Sequence, residues 1–217
     1  MPPALSIHGG RIHGGRIHGG PDAQGVPLYD FSTNANACGP CPEALAAVQQ
    51  ADATRYPDPA YTRLREALGA FHAVAPDCIV LAASASECIH RFTALAAWQG
   101  ARLVSVPRHG YGDYAQAAQA RGLAVVHDAA APAGLQWACE PASPLGGVDL
   151  QRARWALKSE APGTPGAASA HPLRVLDCAY APLRLDGTPW PERVPGVWQL
   201  WTPNKALGLT GVRAAYA

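Results

Sequence analysis

Residues 197–213 read Val197-Trp198-Gln199-Leu200-Trp201-Thr202-Pro203-Asn204-Lys205-Ala206-Leu207-Gly208-Leu209-Thr210-Gly211-Val212-Arg213. Val197 to Trp201 is an apolar run of strand length and reads as a buried strand. Lys205 stands just beyond it. It is one of only two lysines, with Lys158, in a chain that otherwise writes its positive charge as arginine. A lysine packed among apolar neighbours loses ammonium hydration, which favours the neutral, nucleophilic amine. A lone lysine in a loop is ordinarily a solvated surface charge, so its neighbours must decide which it is.

Upstream, short apolar runs alternate with helical patterns. Cys78 to Ala82, Leu103 to Val106, Leu123 to His127, Gln136 to Cys139 and Leu173 to Leu176 read as strands. Pro42 to Gln50, Tyr61 to His72, Glu87 to Trp98, Asp113 to Arg121 and Asp149 to Leu157 read as helices. Pro42 suits a first turn, and Leu64, Leu68 and Phe71 share one helix face. Pro162 to Pro172 reads as a Gly/Ala/Pro loop. Such alternation predicts an α/β fold with a mostly parallel sheet, whose ligands bind beyond the C-terminal ends of the strands.

The totals narrow the function. Seventeen Lys and Arg against 16 Asp and Glu, a net charge of +1, give no basic field for nucleic acid. No apolar run reaches membrane-spanning length, and the first residues carry no signal-peptide pattern. Six scattered cysteines suit reduced, buried thiols, so the expectation is a soluble cytoplasmic protein. Residues 7 to 20 repeat Ile-His-Gly-Gly-Arg, with His8, His13 and His18. Histidines can ligate a metal, but no orienting carboxylate accompanies these, and glycine makes pre-organisation costly. Residues 1–27 are therefore expected to be a flexible arm with no metal, and 28–217 the folded domain. Cys38-Gly39-Pro40-Cys41 has the spacing of a redox dithiol, yet it follows an Asn-rich loop rather than a strand.

Several segments just past the expected strands carry chemistry. Ser84-Ala85-Ser86-Glu87 opens a helix, where N–H groups and the helix dipole favour a phosphate, although Ser before Glu is also an ordinary cap. Asp177-Cys178-Ala179-Tyr180 ends a buried strand with an acid that needs a cation or a donor. A protonated pyridine would serve, and so would a turn cap. Lys205 then supplies the amine that Schiff-base chemistry with an aldehyde cofactor requires.

This order of segments resembles the fold-type I pyridoxal phosphate enzymes of the class I/II aminotransferase superfamily. The resemblance is nearest the branch holding histidinol-phosphate aminotransferase and threonine-phosphate decarboxylase. His18-Gly19-Gly20 with Asp30-Phe31-Ser32-Thr33-Asn34-Ala35-Asn36 is similar to the opening segments of the decarboxylase, an enzyme of cobalamin biosynthesis. The resemblance implies a pyridoxal 5'-phosphate cofactor and a small, phosphorylated amino-acid substrate. It also implies a homodimer with shared sites. Lys205 would bind the cofactor covalently and act as general acid/base, Asp177 would keep the pyridine nitrogen protonated, and Tyr180 would bond the ring's 3-oxygen. Ala85, Ser86, Thr202 and Arg213 would hold the phosphate, Tyr111 would stack on the ring, and Tyr56 would reach a neighbouring subunit's phosphate.

There are departures. Ser143-Pro144-Leu145-Gly146 stands where the family writes Asn-Pro-Thr-Gly, so Ser143 has a single donor for the ring oxygen. Cys178 replaces a glutamate, Asn204 replaces a serine, and Tyr111 lies two positions later after Pro107 than the pattern. The family continues past Arg213 with the rest of the large domain and a small domain that carries a carboxylate-clamping arginine. The expectation is therefore an incomplete large domain with an exposed sheet edge. An enzyme fragment, a cofactor-binding remnant without catalysis, and a metal module on the His repeat are the competing readings.

Overall fold

The computed structural model describes residues 20–21, 25–26, 28–29, 32–127, 131–158, 172–187 and 193–217. The histidines of the repeat, Asp30, Phe31 and most of the Pro162 to Pro172 loop lie outside the described residues. Among the described residues the strands are β1 (Leu81–Ala82), β2 (Leu103–Ser105), β3 (Ala124–Val126), β4 (Leu135–Cys139), β5 (Leu173–Asp177), β6 (Val197–Leu200) and β7 (Ala215–Tyr216). The helices are α1 (Pro42–Gln49), α2 (Thr62–His72), α3 (Ala85–Trp98), α4 (Gly112–Ala120) and α5 (Leu150–Lys158).

Strands β3-β2-β4-β5-β6 form a five-stranded, all-parallel sheet. The α/β expectation is borne out. The chain order reverses between β2 and β4, which makes this the topological switch point of the sheet, where such folds bind ligands beyond the strands' C-terminal ends. Beyond β6, Trp201 and Tyr216 exchange backbone hydrogen bonds of 2.8 and 3.0 Å. β7 pairs antiparallel with β1 on its other side. Ala215 and Tyr216 thus lie between the end of β6 and β1.

Period-two alternation sorts the core. Leu135, Trp137 and Val175 face α3 and α4 and pack with Ile89, Phe92, Val104 and Tyr114. Ala138 and Leu176 face the other way, onto Trp155 of α5, Cys178 and Trp201. Across that second layer Trp155 Nε1 donates to Gln136 Oε1 at 2.9 Å. The strand expected over Cys78 to Ala82 is shorter than the pattern suggested. Pro76 to Cys78 is a turn of 3-10 helix, because proline favours a first helical position and its ring leaves no N–H for a ladder. Among the described residues, no helix is long and apolar enough to cross a membrane.

Candidate active site

The candidate segments that follow β2, β4, β5 and β6 emerge at one end of the sheet, because these strands run parallel. Asp177 is the last residue of β5, and Ser143 follows β4. Thr202 and Lys205 follow β6. Ala85 and Ser86 open α3, and Tyr111 precedes α4.

Asp177 is buried, and both of its oxygens accept hydrogen bonds. Ala179 N–H donates to Oδ1 at 2.9 Å, and the phenol of Tyr114 donates to Oδ2 at 2.6 Å. Burial raises the Asp177 proton affinity above the ordinary carboxylate range. Tyr114, the Ala179 amide and the Lys205 charge oppose this without cancelling it. The Lys205 ammonium lies 4.9 Å from the centroid of the Tyr180 ring, a cation–π distance. Lysine, aspartate and tyrosine are therefore brought together from two adjacent strand ends.

The turn that carries Lys205 is fixed by backbone bonds. Leu207 N–H donates to Pro203 O at 2.9 Å, and Leu209 N–H to Asn204 O at 2.8 Å. The Thr202 hydroxyl is 2.9 Å from Asn204 Oδ1 and 3.0 Å from Ala214 O. The Asn204 amide in turn donates to Val212 O. Thr202 and Asn204 thus brace the loop from inside, and Thr202 spends its proton within the chain. Arg213 is exposed.

At the start of α3 the Ser84 hydroxyl accepts from Glu87 N–H at 3.1 Å, and Glu87 Oε2 accepts from Ala83 N–H at 2.7 Å. Ser84 thus caps the helix, with Glu87 reaching back to the residue before the cap, so the ordinary-cap reading of Ser84 holds. Ala85 and Ser86 then occupy the first turn, where N–H groups have no intrahelical partner. The Ser86 hydroxyl donates to buried Asp113 Oδ2 at 2.5 Å and lies 3.5 Å from the Tyr111 oxygen. Tyr111 meets Tyr114 edge-on, with centroids 6.0 Å apart.

Ser143 and Tyr180 line one cavity of about 690 Å³, together with Asn34, Ala35 and Arg184. A larger groove of about 950 Å³ is lined by His72, Trp198, Trp201 and Tyr216 and contains none of the candidate residues. Size does not locate the chemistry here. Tyr56 is fully exposed and does not join the cluster.

Three features escaped the sequence reading. Asn36 reaches across to the lysine loop: its N–H donates to Lys205 O at 2.9 Å and its side chain to Ala206 O at 3.0 Å. Tyr114, not only Tyr111, enters the site. Buried Glu140 accepts from Arg152 at 2.7 Å and from Arg184 at 3.0 Å. The Asn-rich stretch before Cys38 and the second tyrosine of Tyr111-Gly112-Asp113-Tyr114 were visible signals for the first two. Nothing local marks Glu140.

The family model described as aminotransferase class I and II matches residues 26–165. A histidinol-phosphate aminotransferase of Rhodospirillum centenum is 29% identical over 215 residues, covering 88% of this chain and 56% of its own length. The crystal structure of histidinol-phosphate aminotransferase from Sinorhizobium meliloti in complex with pyridoxal-5'-phosphate aligns with a TM-score of 0.66 at 23% identity. That alignment covers 85% of this chain and 54% of the other. L-threonine-O-3-phosphate decarboxylase from Porphyromonas gingivalis aligns with a TM-score of 0.65 at 20% identity, over 86% and 58%. These two likenesses speak to the fold. The chain spans about half the length of the relatives it matches.

Proposed function

Because this chain belongs to the class I and II aminotransferase family, we propose that it holds pyridoxal 5'-phosphate on Lys205 and acts on a small, phosphorylated amino acid. The observation that carries the reading is the convergence of Lys205, Tyr180 and buried Asp177 at the C-terminal ends of the parallel strands. The donor set fits the cofactor. A buried carboxylate suits a ring nitrogen that brings a proton, a lysine suits an aldehyde, and a helix start suits a phosphate.

When bound, the cofactor supplies an electron sink for charge that develops at the substrate's α-carbon. The chain's residues do the rest. Lys205 would bind the aldehyde and then move a proton at the substrate carbon. Asp177 would hold the ring nitrogen, and Tyr180 and Ser143 would hold the ring oxygen. The first-turn N–H groups of Ala85 and Ser86 would hold the phosphate with Arg213, whose guanidinium fork matches phosphate oxygens. Thr202 shapes the turn that carries Lys205, and Tyr111 would stack on the ring. Tyr56, fully exposed on its own chain, would reach the phosphate of a second copy in a homodimer.

Two reactions share this platform: amino transfer of the histidinol-phosphate kind and decarboxylation of the threonine-phosphate kind. The reading that favours decarboxylation rests on the His18-Gly19-Gly20 and Asp30 to Asn36 segments. The test is to add pyridoxal phosphate to the purified chain, record the visible band of the lysine-bound cofactor, reduce with borohydride and map the label. Label on Lys205, absent from Lys205→Ala, is the expected result. Label on Lys158 or on neither lysine overturns the proposal. Aldehyde-loaded protein given threonine phosphate and, separately, histidinol phosphate then separates the reactions, by carbon dioxide release or by conversion of the cofactor to its amine form.

A further inference from the structure

Tyr114 lies on α4, 63 residues from Asp177 in sequence, yet its phenol meets Asp177 Oδ2 at 2.6 Å. The tyrosine is 1% exposed and the aspartate 4%. Packing fixes the direction of that phenol. One face of the ring stacks on Trp137, with centroids 4.7 Å apart and planes 14° apart, and Tyr111 abuts it edge-on. Phenylalanine would satisfy these apolar contacts equally. The hydroxyl is instead buried at a desolvation cost that its bond to Asp177 offsets. The O···O distance is that of a charge-assisted O–H···O⁻ bond. Burial and the Asp177 charge push the phenol's proton affinity up, so Tyr114 remains a donor.

We propose that Tyr114 is a positioning residue for the ring-nitrogen site: it fixes the Asp177 carboxylate and keeps that carboxylate ionised, so that a proton shared with a bound pyridine stays on the ring. The inference rests on the cofactor reading above. Only a proton is at issue. In one arrangement the ring nitrogen carries it and Asp177 is an anion, and in the other Asp177 is a neutral acid donating to an uncharged nitrogen. Desolvation pulls towards the second arrangement and the Tyr114 hydrogen bond towards the first. A protonated ring is the stronger electron sink, so Tyr114 acts on the reaction through Asp177 without touching substrate.

Two measurements on the full chain test this, one of them independent of the cofactor. In the apoprotein, the infrared carbonyl band of protonated Asp177, assigned by its loss in Asp177→Asn, reports that residue's titration midpoint. Tyr114→Phe is expected to raise the midpoint by about one pH unit or more. Site-specific 3-fluorotyrosine at position 114, a more acidic donor of nearly the same shape, is expected to lower it and covers the case in which the Phe variant does not fold. In the loaded protein, the ¹⁵N shift of ring-labelled pyridoxal phosphate is expected to move from the protonated towards the neutral value in Tyr114→Phe, with Lys205 still labelled by borohydride. A midpoint unmoved by either substitution overturns the proposal, whatever the cofactor does. A moved midpoint with an unchanged ring-nitrogen shift overturns its second half. Absence of label on Lys205 in the unsubstituted chain counts against the cofactor reading and leaves the infrared result to decide whether Tyr114 controls Asp177.

Discussion

The backbone N–H of Asn36 donates to the carbonyl of Lys205 at 2.9 Å, joining the N-terminal segment to the loop that carries this lysine. The Asn36 side chain adds two bonds, to Ala206 O and from Cys38 N–H, each at 3.0 Å. Asn36→Ala removes both side-chain bonds and leaves two backbone groups to find water. The expected cost is about 1–2 kcal/mol of stability, read as a lower urea midpoint. Because the lost bond lies one residue from Lys205, borohydride labelling of that lysine should fall as well. Unchanged labelling would separate the segment from the site.

Gly208 ends the same loop with φ +64° and backs directly onto the Gly39 carbonyl. Any Cβ there meets that oxygen and the start of Pro40, and backbone cannot swing aside as a side chain can. Gly208→Ala therefore carries left-handed strain of about 1–3 kcal/mol as well as a steric collision. Gly211→Ala, three residues on, meets nothing within 4 Å and is the matched control. Denaturation should place Gly208→Ala well below Gly211→Ala. Equal midpoints would mean that the two segments do not pack as described.

These two contacts show what was legible in the sequence. The strands and helices were, because apolar runs such as Leu173 to Leu176 and the Ser84 cap declare themselves locally. Parallel strands then bring Asp177 and Lys205 to one edge by topology alone. What could not be read were partnerships between distant side chains. Nothing near Tyr114 says that its hydroxyl meets Asp177, and nothing near Thr202 says that its proton stays in the loop. The cysteines show the same limit: Cys88, Cys139 and Cys178 are buried as expected, but Cys38 and Cys78 are exposed. Composition does not distinguish a strand's inner face from a turn.

Glu140 is 2% exposed and serves two arginines at once, each about three-quarters buried at its side chain. Removing its charge strands two guanidinium groups in a partly dry setting. Glu140→Gln should cost about 3 kcal/mol, discounted because both arginines keep some contact with water. Arg152→Met should cost less, since Arg184 still answers the carboxylate. Urea midpoints of the two variants compare these directly. A larger loss for Arg152→Met would reverse the assignment of Glu140 as the hub.

Burial sets thiol reactivity here. Burial pushes the Cys88 thiol up to about 11 and raises those of Cys139 and Cys178 as well. A chromogenic disulfide reagent at neutral pH should therefore titrate exposed Cys38 and Cys78 quickly and half-buried Cys41 more slowly. The remaining three should appear only after denaturation. Rapid reaction of Cys178 in the folded protein would mean that the layer under β5 opens easily, and Asp177 with it.

His72 provides a pH test with a definite sign. Its ring packs on Trp201 and Tyr216 at 5.2 and 5.5 Å, and Nε2 lies 3.1 Å from the Tyr216 hydroxyl. Partial burial depresses its pKa below the ordinary value of 6.5. The unfolded chain then binds a proton that the folded chain refuses, in the window from 6.5 down to the lowered value. Stability from this group is complete above that window and is lost as pH falls through it. His72→Phe keeps an aromatic ring without a titrating nitrogen, so its urea midpoint should be flatter from pH 7 to pH 5 than that of the parent. Because Tyr216 is the residue that ties β7 to β6, losing the His72 contact under acid should also loosen the strand that follows the lysine loop. Parallel slopes for the two proteins would assign the acid sensitivity to another group.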